Sequence, residues 1–178
     1  MNPMIQILPE DIDEAKKYDA LMIEKKGGII NEMSTHFGVY GYLGQKLFRR
    51  YLDSKDVIYI EYPYVDEDPE IHNDPYDFLI GQYKIDVKTS PHYKDKELPY
   101  LIRLDKKEKD KRIDIYFMIR LDLDEMCGYI NGAISYKRFW SIARPQLQKV
   151  QKPWVSYFVE PSELYPPNQF IEFVKKRS

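Results

Sequence analysis

Apolar and polar positions follow two different periods along this chain, and each change of period marks an element. Residues 9–26 place acids early and lysines late, as a helix dipole prefers, and Gly27-Gly28 ends the run. Residues 34–53 repeat Tyr40, Leu43, Leu47, Phe48, Tyr51 and Leu52 at helical spacing, with Ser34 or Thr35 as the cap. Gly38, Gly41 and Gly44 interrupt this second helix. Each costs about 1 kcal/mol relative to alanine in a helix interior. Either the helix approaches a neighbour closely there, or its regular part starts only near Gly41.

The period then falls to two. Residues 57–65 are β-branched and aromatic, as a strand requires, and 66–76 form an acidic, proline-broken loop. Residues 77–80 and 83–89 are short strands flanking Gly81-Gln82. Further strands are expected at 98–104, 113–121, 128–135 and 155–160. The apolar run 113–121 is expected to be central and buried on both faces. Short helices are expected at 136–143 and 168–176.

The hairpin carries the candidate chemistry. A two-residue type II′ turn at Gly81-Gln82 pairs Ile80 with Tyr83, and the register runs back to Asp77 opposite Asp86. Phe78, Ile80, Tyr83, Ile85 and Val87 then form an oily face, while Asp77, Leu79, Lys84, Asp86 and Lys88 share the other. Like charges across a ladder are destabilising. A divalent cation offsets that cost, since Mg²⁺ takes one or two carboxylates plus waters and phosphate oxygens. A lysine beside it stabilises developing negative charge or helps deprotonate a water. The plainer alternative is a surface hairpin whose Lys84 and Lys88 neutralise two solvated aspartates.

Asp77-Phe78 followed by Asp86-Val87-Lys88-Thr89 resembles the signature of the PD-(D/E)xK nuclease superfamily, which includes many type II restriction endonucleases and Holliday junction resolvases. The resemblance covers roughly residues 34–135. It implies an α/β fold with a restriction-endonuclease-like core, a central mixed β-sheet flanked by helices. It implies that Asp77, Asp86 and the backbone carbonyl of Val87 hold Mg²⁺, with Mn²⁺ as substitute, and that Lys88 positions or activates the attacking water. Gly44-Gln45 stands where the family often has Gly-Glu. Gln45 either reaches the metal, directly or through a water, or is an ordinary polar residue on a solvated face. Lys84, Thr89 and Ser90 are candidate phosphate contacts. The family usually places a helix after the motif strand, yet 91–112 does not read clearly as one. The implied activity is a Mg²⁺-dependent deoxyribonuclease, an endonuclease, acting on DNA. The alternatives are a noncatalytic nucleic-acid-binding or structural protein that keeps the fold, and a tyrosine-rich interaction module.

Composition narrows the setting. With 178 residues, the chain reads as one domain, 1–178, whose helices at 9–26 and 168–176 are appended to the core. Apolar content of 43% and charged content of 31% fit a soluble globular protein. A net charge of −2 argues against a general basic coat for nucleic acid, though a nuclease's own acids lower the count. Lys46, Arg49, Arg50 and Lys55, and the run Lys106–Arg112, are either phosphate-contacting patches or solvated faces. Cys127 reads as an inert buried thiol, and His36, His72 and His92 lack a zinc spacing. His72 and His92 are solvated loop residues or accessory groups near the hairpin. With neither a membrane-length apolar run nor a secretory signal, the expected compartment is the cytoplasm, without a membrane partner. A two-fold pair easily cuts both strands of a duplex, so a homodimer is compatible with this activity.

Overall fold

The computed structural model describes residues 2–25, 35–62, 76–91, 102–106, 109, 112–148 and 154–176. The almost continuous apolar run after residue 113 becomes the middle of the sheet. In chain order the strands are β1 (Met4–Gln6), β2 (Ile60–Glu61), β3 (Phe78–Ile80), β4 (Tyr83–Pro91), β5 (Ile102–Asp105), β6 (Ile115–Asp122), β7 (Cys127–Ser135), β8 (Arg144–Gln148) and β9 (Trp154–Val159). A six-stranded sheet runs β1-β7-β6-β4-β3-β2, and a three-stranded sheet runs β5-β9-β8. Among the described residues only β4 and β6 pair in parallel; the other pairs are antiparallel. A parallel pair needs a crossover. Here the described part of that crossover contains β5, a strand of the second sheet, and no α-helix.

Helices pack on both faces of the large sheet. On one face lie α1 (Pro9–Lys25), α2 (Thr35–Asp53) and α4 (Pro167–Lys175), which share a core with Phe78, Ile85 and Phe117. Phe48 of α2 sits with its ring centroid 5.0 Å from Phe78 and 4.4 Å from Phe117, and Phe170 of α4 lies 4.9 Å from Phe117. Ala15 of α1 and Ile171 and Val174 of α4 belong to the same buried cluster. On the other face, Tyr116, Met118 and Ile134 meet Phe139 of α3 (Tyr136–Ile142) and Leu104 and Val159 of the second sheet. The molecule is therefore an α/β protein with a mixed sheet. Among the described residues, no helix is long and apolar enough to cross a membrane.

The hairpin register agrees with the reading from sequence for three pairs, Ile80 with Tyr83, Leu79 with Lys84 and Phe78 with Ile85, but the expected fourth pair, Asp77 opposite Asp86, does not form, because Asp77 bends away to the Val87 N–H. Gly81 has φ 57° while Gln82 keeps a negative φ, as a type II′ turn demands. The strand expected at 57–65 pairs only over Ile60–Glu61, and residues 63–65 lie outside the described part. Two strands, β1 and β8, had no signal in the pattern, because edge strands of three and five residues are too short for a period to show.

Candidate functional site

The site begins with a mismatch of strand lengths. β3 stops pairing at Phe78, but β4 continues to Pro91, so the β3-side edge of β4 beyond Ile85 has no ladder partner among the described residues. Asp77 fills the gap from a bend. Its N–H donates to the Ile85 carbonyl at 2.9 Å, and its Oδ2 accepts from the Val87 N–H at 2.6 Å. A carboxylate thus replaces the missing strand, which satisfies a backbone donor. A strand residue's N–H and C=O face the same neighbour in an antiparallel ladder, so the Val87 carbonyl is directed to the same edge.

Gln45 closes the site from α2. Its Nε2 donates to Asp77 Oδ1 at 2.6 Å, and the residue is only 7% exposed. The preceding Gly44 makes this reach workable. A Cβ there would fall 1.9 Å from Thr89 Oγ1 of β4, so the helix lies closer to the sheet than any side chain allows. Gly38 plays the same part against α1, where a Cβ would fall 2.0 Å from Asp19 Oδ1. Two of the three helix glycines therefore mark close approach, and the helix runs regularly from Thr35.

Asp86 is 5% exposed, and Lys88, two residues on along the same face, places Nζ 2.8 Å from its Oδ2. Pairing is what makes a buried carboxylate tolerable. Lys88 Nζ also stands 6.0 Å from the ring of Tyr116, the residue that pairs with Asp86 across β4 and β6. Lys84 is drawn to Tyr76, with Nζ 4.7 Å from the ring centroid. Asp86 is thus buried, Asp77 is half-buried, and the picture of two solvated aspartates on a surface hairpin does not describe them. Gln45 likewise is not on a solvated face.

The basic residues of α2 have a different destination from the one their spacing suggests. Lys46 and Arg50 turn to α1. Arg50 makes two hydrogen bonds of 2.7 Å to Asp11, one to each oxygen, Lys46 lies 2.8 Å from Oδ1 of the same carboxylate, and Lys46 also pairs with Glu14. Arg49 meets Glu61 at 3.3 Å, and Lys55 stands 6.0 Å from the Tyr51 ring. Burial pushes the Asp11 carboxyl up, but hydrogen bonds from Arg50 and Lys46 outweigh it and hold Asp11 below the ordinary carboxylate range. Burial raises Glu61, over the opposing pull of Arg49. Lys46 and Arg50 thus dock α1 onto α2, while Arg49 reaches β2 with its side chain 39% exposed. A sequence period cannot find the partners of Lys46 and Arg50, because Asp11 and Glu14 lie more than thirty residues upstream.

Thr89 is pinned against Gly44, and its buried Oγ1 finds no hydrogen-bond partner among the described residues. Ser90 pairs with Arg120 in register on β6. Lys109 stands over Trp140 and Tyr157, 4.9 and 5.3 Å from their ring centroids. His72, His92 and most of the Lys106–Arg112 run lie outside the described residues. Cys127 is buried.

No family model matches this chain, and no curated protein or solved structure matches it. What the site can do rests on its own donors. Two carboxylates and a backbone carbonyl are hard oxygen ligands, the kind Mg²⁺ prefers. Among the described residues no group of three or more His, Cys, Asp or Glu side chains is gathered for a metal. That set suits an ion that keeps several waters and takes one or two carboxylates. It does not suit a zinc site or a calcium cage.

Proposed function

We propose that the protein is a Mg²⁺-dependent nuclease of the PD-(D/E)xK type, hydrolysing DNA phosphodiester bonds on a restriction-endonuclease-like core. The observation that carries this reading is a pair of contact groups, five residues in all, meeting on β4. Gln45 of α2 meets Asp77 in the bend before β3, Asp77 caps Val87 of β4, and Lys88 pairs with Asp86 on that same strand. Asp77, Asp86 and the Val87 carbonyl would hold the ion. A bound Mg²⁺ would supply positive charge to the phosphoryl and leaving oxygens.

The remaining work falls to the chain. The Val87 N–H and the Gln45 amide fix the Asp77 carboxylate, so its direction does not depend on side-chain entropy. Asp86 holds the Lys88 ammonium, which is partly open to solvent, where it can orient a water and lend charge to a developing oxyanion. The near burial of Asp86 and Gln45 lowers the local dielectric and strengthens each of these interactions.

One observation favours the second reading, a noncatalytic protein that keeps this arrangement. Both Asp77 oxygens already accept hydrogen bonds, so the cluster is satisfied without an ion. Cleavage and calorimetry together separate the two. The wild type is expected to cut at least one of linear, circular, branched or single-stranded DNA with Mg²⁺ or Mn²⁺. Asp86→Ala is expected to abolish cutting while circular dichroism stays native, and Asp77→Asn to abolish Mn²⁺ binding. Equal cleavage by wild type and Asp86→Ala would falsify the nuclease reading, and a wild type that neither binds Mn²⁺ nor cuts would establish the scaffold.

A further inference from the structure

A cleft of about 630 Å³ opens between the start of β6, the end of β7 and α4, at the hairpin-tip end of the sheet. That volume falls within the range of small-ligand sites, about 300–1,000 Å³. Its floor is apolar and fully covered: Ile113, Ile115, Ala133 and Phe170 are all buried. Its walls are aromatic. Tyr83, Tyr136, Tyr165 and Phe173 line it, and Tyr165 and Phe173 remain 46% and 36% exposed at the rim. Large aromatic rings left open to water above an apolar floor are a surface that a flat ligand would cover.

The walls are built in advance. The Tyr165 backbone exchanges two hydrogen bonds with Ala133, Tyr165 N–H to Ala133 O at 2.7 Å and Ala133 N–H to Tyr165 O at 3.0 Å. Gly132, at φ 139°, admits this contact, since a Cβ there would fall 2.3 Å from the Tyr165 carbonyl oxygen. Phe173 is braced by Tyr83, with centroids 5.0 Å apart. Preorganisation of this kind lowers the entropy lost on binding.

Polar groups decide the ligand class. Gln169 offers a carboxamide, donor and acceptor together. Asp114, whose Oδ2 accepts from the Lys84 N–H at 2.9 Å, offers acceptors only. Lys137 lines the cleft as an exposed cation, and the Arg138 guanidinium stands 5.5 Å from the Tyr165 ring. An aliphatic ligand would use none of these. A flat ring with a polar edge and an anionic tail uses all of them.

We propose that this cleft binds a nucleotide unit, its base between the aromatic walls and its phosphate at Lys137. The Asp114 acceptor favours bases that carry an exocyclic amino group. The unit can be a free mononucleotide or the end of a strand, and the site stands apart from the Asp77–Lys88 cluster. Isothermal titration of the full chain at low salt tests it, using the four 5′-monophosphates AMP, GMP, CMP and UMP, the matching nucleosides and a short single-stranded oligonucleotide. At least one amino-bearing monophosphate is expected to bind saturably. Tyr165→Ala and Phe173→Ala should each weaken it about tenfold, or about 1.4 kcal/mol. Lys137→Ala should weaken the nucleotide but not the nucleoside. Tighter binding of the oligonucleotide would identify a strand end, and tighter binding of the monomer a free nucleotide. Asp77→Asn should leave all of this intact, so a failure here is distinct from a failure of the nuclease reading. No saturable binding by any probe, or binding untouched by all three substitutions, overturns the proposal.

Discussion

Gly44 sets the distance between α2 and β4, and through it the reach of Gln45 to Asp77. Two effects of Gly44→Ala oppose each other. Alanine gains about 1 kcal/mol of helix propensity. Its Cβ would also sit 1.9 Å from Thr89 Oγ1 and 3.0 Å from Thr89 Cβ, an overpacking that costs about 1–3 kcal/mol. The clash is expected to win, with α2 displaced and the Gln45–Asp77 bond weakened. Combining it with Thr89→Ala should recover most of the loss, since the two sites share one contact. Urea unfolding of both single variants and the double variant measures this. A Gly44→Ala protein as stable as its parent would show that the helix can retreat freely. At this scale the sequence was informative: the turn at Gly81-Gln82 and the spacing of Asp77, Asp86 and Lys88 were legible because a hairpin's register is local. The hydrogen bonds of Gln45 and Thr89's contact with Gly44 were not, because they join residues more than thirty positions apart.

Between elements, α1 and α2 are joined by a charged clamp at Asp11. It is 1% exposed and accepts from Arg50, Lys46 and the Leu8 N–H. A carboxyl held below its ordinary value contributes stability that is fully present above its unfolded pKa, about 3.9. That stability is lost as pH falls through the lowered folded value. Asp11→Asn is therefore expected to cost about 1.5–3 kcal/mol near pH 7, the range for hydrogen bonds to charged groups. The cost stays below that of breaking a fully buried pair, about 3–5 kcal/mol, because Arg50 is partly exposed and Glu14 still holds Lys46. Below about pH 4 the gap between the wild type and the variant should begin to close, and it should narrow further as pH falls through the lowered folded value. Thermal melts from pH 3 to 8 check this, and a stability gap independent of pH would refute the charged clamp. Early acids in the α1 sequence suggested only a helix dipole; the clamp needed a second helix brought alongside.

For the whole molecule, protection should follow the sheet order. β6 is hydrogen-bonded on both sides, by β4 and β7, and is buried on both faces, whereas β2 and β1 are edges. Amides of β6 are expected to exchange only through global unfolding, and those of β2 through local opening with a much smaller free energy. Hydrogen exchange followed by NMR would show it; equal protection in β2 and β6 would contradict this layering. The sequence by itself determined the period of each long element, the central strand, the hairpin and the pairing of acids with lysine along it, since these depend on neighbours within a few residues. Only the tertiary structure decided that Asp77 leaves the ladder to cap Val87, that α2 spends its cations on α1, and that a second sheet occupies the crossover. Those outcomes depend on which distant backbone groups are left unsatisfied and which distant charges come within reach, and no local period records either.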